Sequence, residues 1–110
     1  EKSEEKDIPK IIKMSEAAGK MVRDSVNAYV EKDLELSRKV IQDDDVVDEL
    51  FEEVKTTLIG FIAENKGAQG VEAIDLIMVA KYLERIADHA TNIAEWVEFS
   101  ITGIHKASVV

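Results

Sequence analysis

The chain has no cysteine, one proline and five glycines among its 110 residues. Without cysteine there are no disulfides, no thiolate metal ligands and no thiol nucleophile, a usage that fits a reducing compartment. With so little proline and glycine, a fold of short strands joined by many turns is excluded. Basic residues are also in deficit: 14 Lys+Arg stand against 23 Asp+Glu, a net charge of −9. Such a chain cannot release counterions from a phosphate backbone, so nucleic acid is not an expected partner, and an anionic membrane surface would repel it. No apolar run approaches the roughly 18 residues that cross a bilayer, so no membrane insertion is expected. The opening segment, Glu1 to Asp7, is charged and has neither the apolar core of a signal peptide nor a starting methionine. The expectation is a processed chain or a piece of a longer one.

What is present is an ordered, helix-forming composition, with 45% hydrophobic and 34% charged residues. Asp7 can cap a first helix, with Pro9 tolerated in its first turn. Apolar positions then recur at helical spacing through Ile8, Ile11, Ala18, Met21, Val22, Val26 and Tyr29, and the helix is expected to end near Glu31. After Lys32-Asp33, with Asp33 as the next cap, a second seam runs Leu36, Val40, Asp44, Val47, Phe51, Val54, Leu58 and Phe61. Read as one helix over 34–65 it spans about 48 Å at the usual rise. The segment from Asn65 to Gly70 supplies a turn, and a third helix is predicted over 71–102, burying Leu76, Ala80, Leu83, Ala87, Ala90, Ala94, Val97 and Ile101. Three amphipathic helices with short links can bury their stripes only against each other. The expected fold is therefore all-α, an antiparallel three-helix bundle over residues 8–104, with 1–7 and 105–110 as flexible ends.

Two features break the apolar pattern. Residues 42–54 hold seven acids and no base, and Asp44 falls on the seam itself, with Asp48 one turn further along. Aspartates four apart repel one another and form helices poorly. They would be accounted for if the second helix began at the Asp triplet, which would then cap it and complement its dipole, or if they were a solvated face. On the third helix, Glu84, Asp88, Asn92 and Glu95 follow in steps of four, four and three and form one strip. These oxygen donors, about one turn (roughly 6 Å) apart, can hold a hard cation, or they can be an ordinary polar flank with Glu84 paired to Lys81.

Counting from the 67–70 turn in both directions brings the pairs Asp44/Asp48 and Glu84/Asp88 to the same level of the bundle. Four converging carboxylates call for a neutralising charge, and all-oxygen donors favour magnesium, manganese, calcium or ferric iron. His89 should point away to the surface. Trp96 lies on that same side, either docking a partner or covering the first helix. No nucleophile–base arrangement or phosphate-binding glycine loop is visible, so an enzyme is not expected. A carboxylate-bridged metal enzyme would want a Glu-X-X-His pair, and Ile86 stands three residues before His89.

The run Tyr82-Leu83-Glu84-Arg85-Ile86-Ala87-Asp88-His89-Ala90-Thr91-Asn92-Ile93-Ala94-Glu95 closely resembles the signature of the PhoU family, and Asp44-Asp45-Val46-Val47-Asp48 resembles the acid-XXX-Asp of its preceding helix. The likeness covers roughly residues 8–104. It implies a cytoplasmic, non-enzymatic regulator of phosphate uptake and phosphate-starvation signalling, partnered with a phosphate ABC transporter and a sensor kinase and prone to homo-oligomerise. It also implies an iron or zinc site, with Asp44, Asp48, Glu84 and Asp88 as metal ligands and Asn92 in support, and two tandem bundles where this sequence holds one. Ala87 stands where the family usually has glycine. The rival from another class is a helical interaction module whose acids are only a solvated face, with Trp96 as a partner contact.

Overall fold

The computed structural model describes residues 3–64 and 70–103. They form α1 (Ser3–Glu31), α2 (Leu34–Glu64) and α3 (Gly70–Thr102), and among the described residues there is no strand. Each helix packs on both others in an antiparallel three-helix bundle about 53 Å long and 27 by 16 Å across.

The packing follows a strict seven-residue period. The buried positions include Asp7, Met14, Met21 and Ala28 on α1, Val40, Val47 and Val54 on α2, and Ala73, Ala80, Ala87 and Ala94 on α3. Intermediate positions are filled by Ile11, Ala18 and Ser25, by Ser37, Phe51 and Leu58, and by Ala90 and Val97. A period below 3.6 residues per turn winds helices into a left-handed supercoil. The three rows also divide the volume. Methionines of α1 and valines of α2 fill the space that the alanines of α3 leave open. Each fully buried Val, Leu or Met contributes about 1.5–3 kcal/mol. The buried hydroxyls of Ser25 and Ser37 donate to the carbonyls of Val22 and Leu34, both at 2.9 Å, so neither disturbs the core.

The link between α1 and α2 is one turn of capping chemistry. Lys32 takes a left-handed backbone (φ 53°), and the N–H groups of Lys32 and Asp33 donate back to the carbonyls of Tyr29 and Ala28. Asp33 is the cap of α2, as its sequence position suggested: its Oδ1 accepts from the Leu36 N–H at 3.0 Å. At the other end, Gly103 closes α3 with φ 77°.

The structure corrects several expectations. α1 begins at Ser3, so Asp7 is a fully buried residue inside the helix and not its cap, and Pro9 lies within the first two turns. Met14 and Ala28 are core residues that the α1 stripe omitted, while Ile8, Val26 and Tyr29, which it included, are exposed. The expected stripe lies toward one edge, taking in Ile8, Val26 and Tyr29 where the seven-residue row of Asp7, Met14, Met21 and Ala28 faces the core. On α3, Ile101 is likewise exposed. α2 is continuous from Leu34, so the Asp triplet lies mid-helix and does not start it. The turn at 65–69 and the tail from 104 fall outside the described residues.

Candidate metal centre

The α2–α3 seam brings three of the four expected ligands together. Asp44, Asp48 and Asp88 each present a carboxylate oxygen, and these atoms all lie within 4.8 Å of one another. Asp44 occupies the seam position between Val40 and Val47, where the seven-residue rhythm would otherwise place an apolar side chain. Its Oδ1 is sealed from solvent and has no hydrogen-bond partner. Burial pushes the Asp44 carboxyl up to about 6, with further contributions from the charges of Asp48, Asp88 and Asp45, while a hydrogen bond from Thr91 acts in the opposite direction. Asp48 is raised as well, first by burial, then by the charges of Glu84, Asp88 and Asp45.

Glu84 lies close enough to act on Asp48 but stands outside the three-acid group. Its carboxylate accepts from Lys81 Nζ at 2.9 Å. The surrounding acids are handled in the same way: Asp43 by Lys39 at 2.9 Å, Glu52 by Lys55 at 3.2 Å and Glu53 by Lys10 at 3.5 Å. Asp43 in turn raises the Lys39 ammonium through its hydrogen bond and its charge. Among the described residues, no lysine or arginine pairs with Asp44, Asp48 or Asp88. Three crowded carboxylates, one with an orphaned buried oxygen, make an all-oxygen donor set of the kind a hard cation takes.

The rest of the strip divides. Asn92 and His89 are exposed, and Trp96 is 57% exposed with its ring 5.3 Å from that of Phe99. Glu95 turns to a cleft of about 250 Å³ shared with Arg38, Ile41, Gln42 and Glu98. There Arg38 Nε donates at 2.8 Å to Glu98, which is buried among core residues. Sequence reading puts Phe51 on the seam with no role beside the acids, and assigns none to Thr91 or Arg38. Thr91 stands one turn beyond Asp88, and that spacing could have revealed it. Phe51 stands one turn beyond Asp48, with Lys55 and Lys81 each 5.3 Å from its ring centroid. Arg38 has no local signal, since its partner is sixty residues away in sequence.

These features define a helical-bundle protein with a carboxylate cluster on one seam. The chain belongs to the PhoU domain family, whose pattern it matches over residues 11–97. It is 34% identical over 96 residues to the phosphate-specific transport system accessory protein PhoU homolog of Clostridium acetobutylicum, an alignment covering 87% of this chain and 43% of that protein. The homolog of Zymomonas mobilis is 38% identical over 96 residues, covering 87% and 40%. The PhoU homolog 1 of Methanothermobacter thermautotrophicus is 29% identical over 107 residues, covering 93% and 48%. The chain thus spans less than half the length of the curated relatives it matches. Among the described residues, no helix is long and apolar enough to cross a membrane.

Proposed function

We propose that this bundle is a non-enzymatic accessory element of phosphate-specific transport, cytoplasmic and self-associating, with a cation held by Asp44, Asp48 and Asp88. Family membership over residues 11–97 supports the transport role, as do the relatives' names. The observation that carries the cation site is the orphaned, buried Oδ1 of Asp44 beside two further unpaired carboxylates. Glu84 completes the set once it leaves Lys81, and Asn92 supports it from the next turn. A bound cation supplies positive charge to three aspartates that have no basic partner among the described residues. Iron or zinc is the choice suggested by the family, while magnesium, manganese or calcium also suits the oxygen donors. Partner contacts with a phosphate ABC transporter and its sensor kinase are assigned to the exposed outer face of α3 around Trp96.

Elemental analysis of the purified chain, with thermal melts before and after chelator, tests the site. Bound metal whose removal lowers the melting temperature is expected. Asp48→Asn combined with Asp88→Asn is expected to abolish uptake while leaving helicity intact, and equal uptake by the double variant overturns the assignment. The transport role is read separately, as restored restraint of phosphate uptake in cells lacking their own accessory protein. The competing reading is an interaction module with a solvated acidic face. The lysine partners of Asp43, Glu52, Glu53 and Glu84 favour it, and it expects no metal and no shift with any added cation.

A further inference from the structure

The group that orients Asp44 comes from the facing helix. The lysines nearest in sequence to the cluster are engaged elsewhere: Lys39 donates to Asp43 at 2.9 Å, and Lys81 to Glu84 at 2.9 Å. Across the seam, one turn beyond Asp88 on α3, stands the half-buried Thr91. Its hydroxyl carries one proton, and two acceptors compete for it. One is the Ala87 carbonyl of the same helix, to which Oγ1 donates at 3.0 Å. The other is the carboxylate of Asp44, within hydrogen-bonding reach of the Thr91 side chain. With the proton on Ala87, Thr91 offers Asp44 only a lone pair, and Asp44 Oδ1 has no partner. The competition is uneven. The Ala87 carbonyl already serves the helix ladder, and a threonine hydroxyl folded back onto such a carbonyl slightly destabilises the helix. A hydrogen bond to an ionised acceptor is roughly twice as strong as one between neutral groups.

From this geometry we infer that Thr91 is the positioning residue of the carboxylate cluster: its hydroxyl turns from Ala87 to Asp44 and fixes the carboxylate in the orientation from which a cation is held. The inference rests on the cation site of the proposed function and names the group that orients it. A rotation about the Cβ–Oγ1 bond is all the change requires, and no backbone moves. The residue type matters. A lysine in this place would neutralise Asp44 and close the cluster to a cation, as Lys81 does to Glu84. A valine would leave the carboxylate with no donor from α3. A hydroxyl holds the carboxylate in place and leaves its charge available, which is what the partner of a metal ligand has to do.

Thermal melts of the metal-free chain, in chelator and well above the pH at which Asp44 titrates, form a double-mutant cycle that tests the pairing. Thr91→Val keeps the branched shape and removes the hydroxyl. It is expected to lower the melting temperature by about 4 °C, the scale of one hydrogen bond in a domain of this size. In an Asp44→Ala background the same change should have no effect, and Thr91→Ser in the native background should recover most of the loss. Circular dichroism verifies that each variant stays helical. An equal loss in both backgrounds, or none in either, overturns the pairing. Calorimetric titration with manganese then reads the positioning role. Thr91→Val is expected to weaken uptake about tenfold, with Thr91→Ser restoring it. If the native chain binds manganese and Thr91→Val binds it equally well, the positioning role is overturned. A native chain that takes up no manganese overturns the reading of the cluster as a cation site, and the melts alone then decide the pairing of Thr91 with Asp44.

Discussion

Helix α3 makes one seam with α2 and another with α1, and the two are built from opposite materials. Toward α2 it lays Asp88 beside Asp44 and Asp48, three carboxylates with no basic partner among the described residues. Toward α1 it lays Val79, Ile86 and Ile93, with Glu72 and Asp75 only at the end where the cleft beside Ile8 opens. Both seams close over the same core of methionine, valine and alanine rows, so the core cannot be what separates them. The difference arises mostly at the flanking positions, one step to either side of the buried rows, but Asp44 itself takes a place in the row of Ser37, Phe51 and Leu58 with one oxygen buried and unpartnered. The acidic surface therefore reaches into the packing, whereas the apolar one lies over it. The two make different demands: a carboxylate cluster needs a counter-charge, and an apolar strip needs a cover.

The sharpest test of that division is Phe51, a buried residue under the acidic seam that carries Lys55 and Lys81 on its ring. Phe51→Ala is expected to destabilise the chain by about 3–5 kcal/mol in chemical denaturation, the range for a buried aromatic. A loss below about 1 kcal/mol would mean that the acidic seam stands apart from the core.

The next effect is the pH dependence of the metal-free chain. The folded Asp44 carboxyl titrates near 6 and the free side chain near 3.8. Below the lower value both states hold the proton, and between the two the folded state alone holds it. Asp44 therefore makes the chain lose stability as pH rises from about 4 to about 6, by about 1 kcal/mol once solvent screening is allowed for. Asp48, Asp88, Asp45 and Glu84 are the charges that face this group and its neighbour. Asp44→Asn is expected to flatten that part of the profile and to stabilise the metal-free chain at neutral pH, which melts of both proteins across the window will show. A stability that rises with pH in the native chain and not in Asp44→Asn would contradict the crowding. With a cation bound the sense reverses, since binding requires the carboxylates deprotonated.

The smallest effects come from the apolar seam and from the lysine beside the cluster. Ile12→Ser and Ile86→Ser should each cost no more than about 1 kcal/mol, because about half of each side chain is already exposed. Lys81→Met should be similarly small in stability, within about 0.5 kcal/mol, yet it frees Glu84 and should tighten cation binding in a calorimetric titration. Unchanged affinity in that variant would restrict the donor set to the three aspartates.

Much of this was legible in the residues. The α2 and α3 rows have unbroken periodicity, so their buried faces and the level of Asp44, Asp48, Glu84 and Asp88 follow from counting. Asp33 could be recognised as a cap because its chemistry is local. The start of α1 was harder to place, since Ser3 to Asp7 is charged and Pro9 reads as a boundary, while tertiary packing buries Asp7 and carries the helix through. The face of α1 was misjudged for a related reason. Ala28 is small and weighs little in a hydropathy pattern, yet it sits at the heart of the bundle because α3 and α2 approach it closely. Glu84 with Lys81 and Arg38 with Glu98 are choices among neighbours that only three dimensions settle.

The seven-residue rhythm of the buried rows also sets which changes of length the fold can accept. One residue inserted between Asp48 and the end of α2 would turn everything beyond it by about 100° and bring charged positions into the core. Whole heptads removed from all three helices at the end away from the α1–α2 link would shorten the bundle and leave Asp44, Asp48 and Asp88 at their mutual distances. Changes of length that keep this core therefore come in units of seven, and the carboxylate cluster is carried along by the winding of the helices without having to be rebuilt.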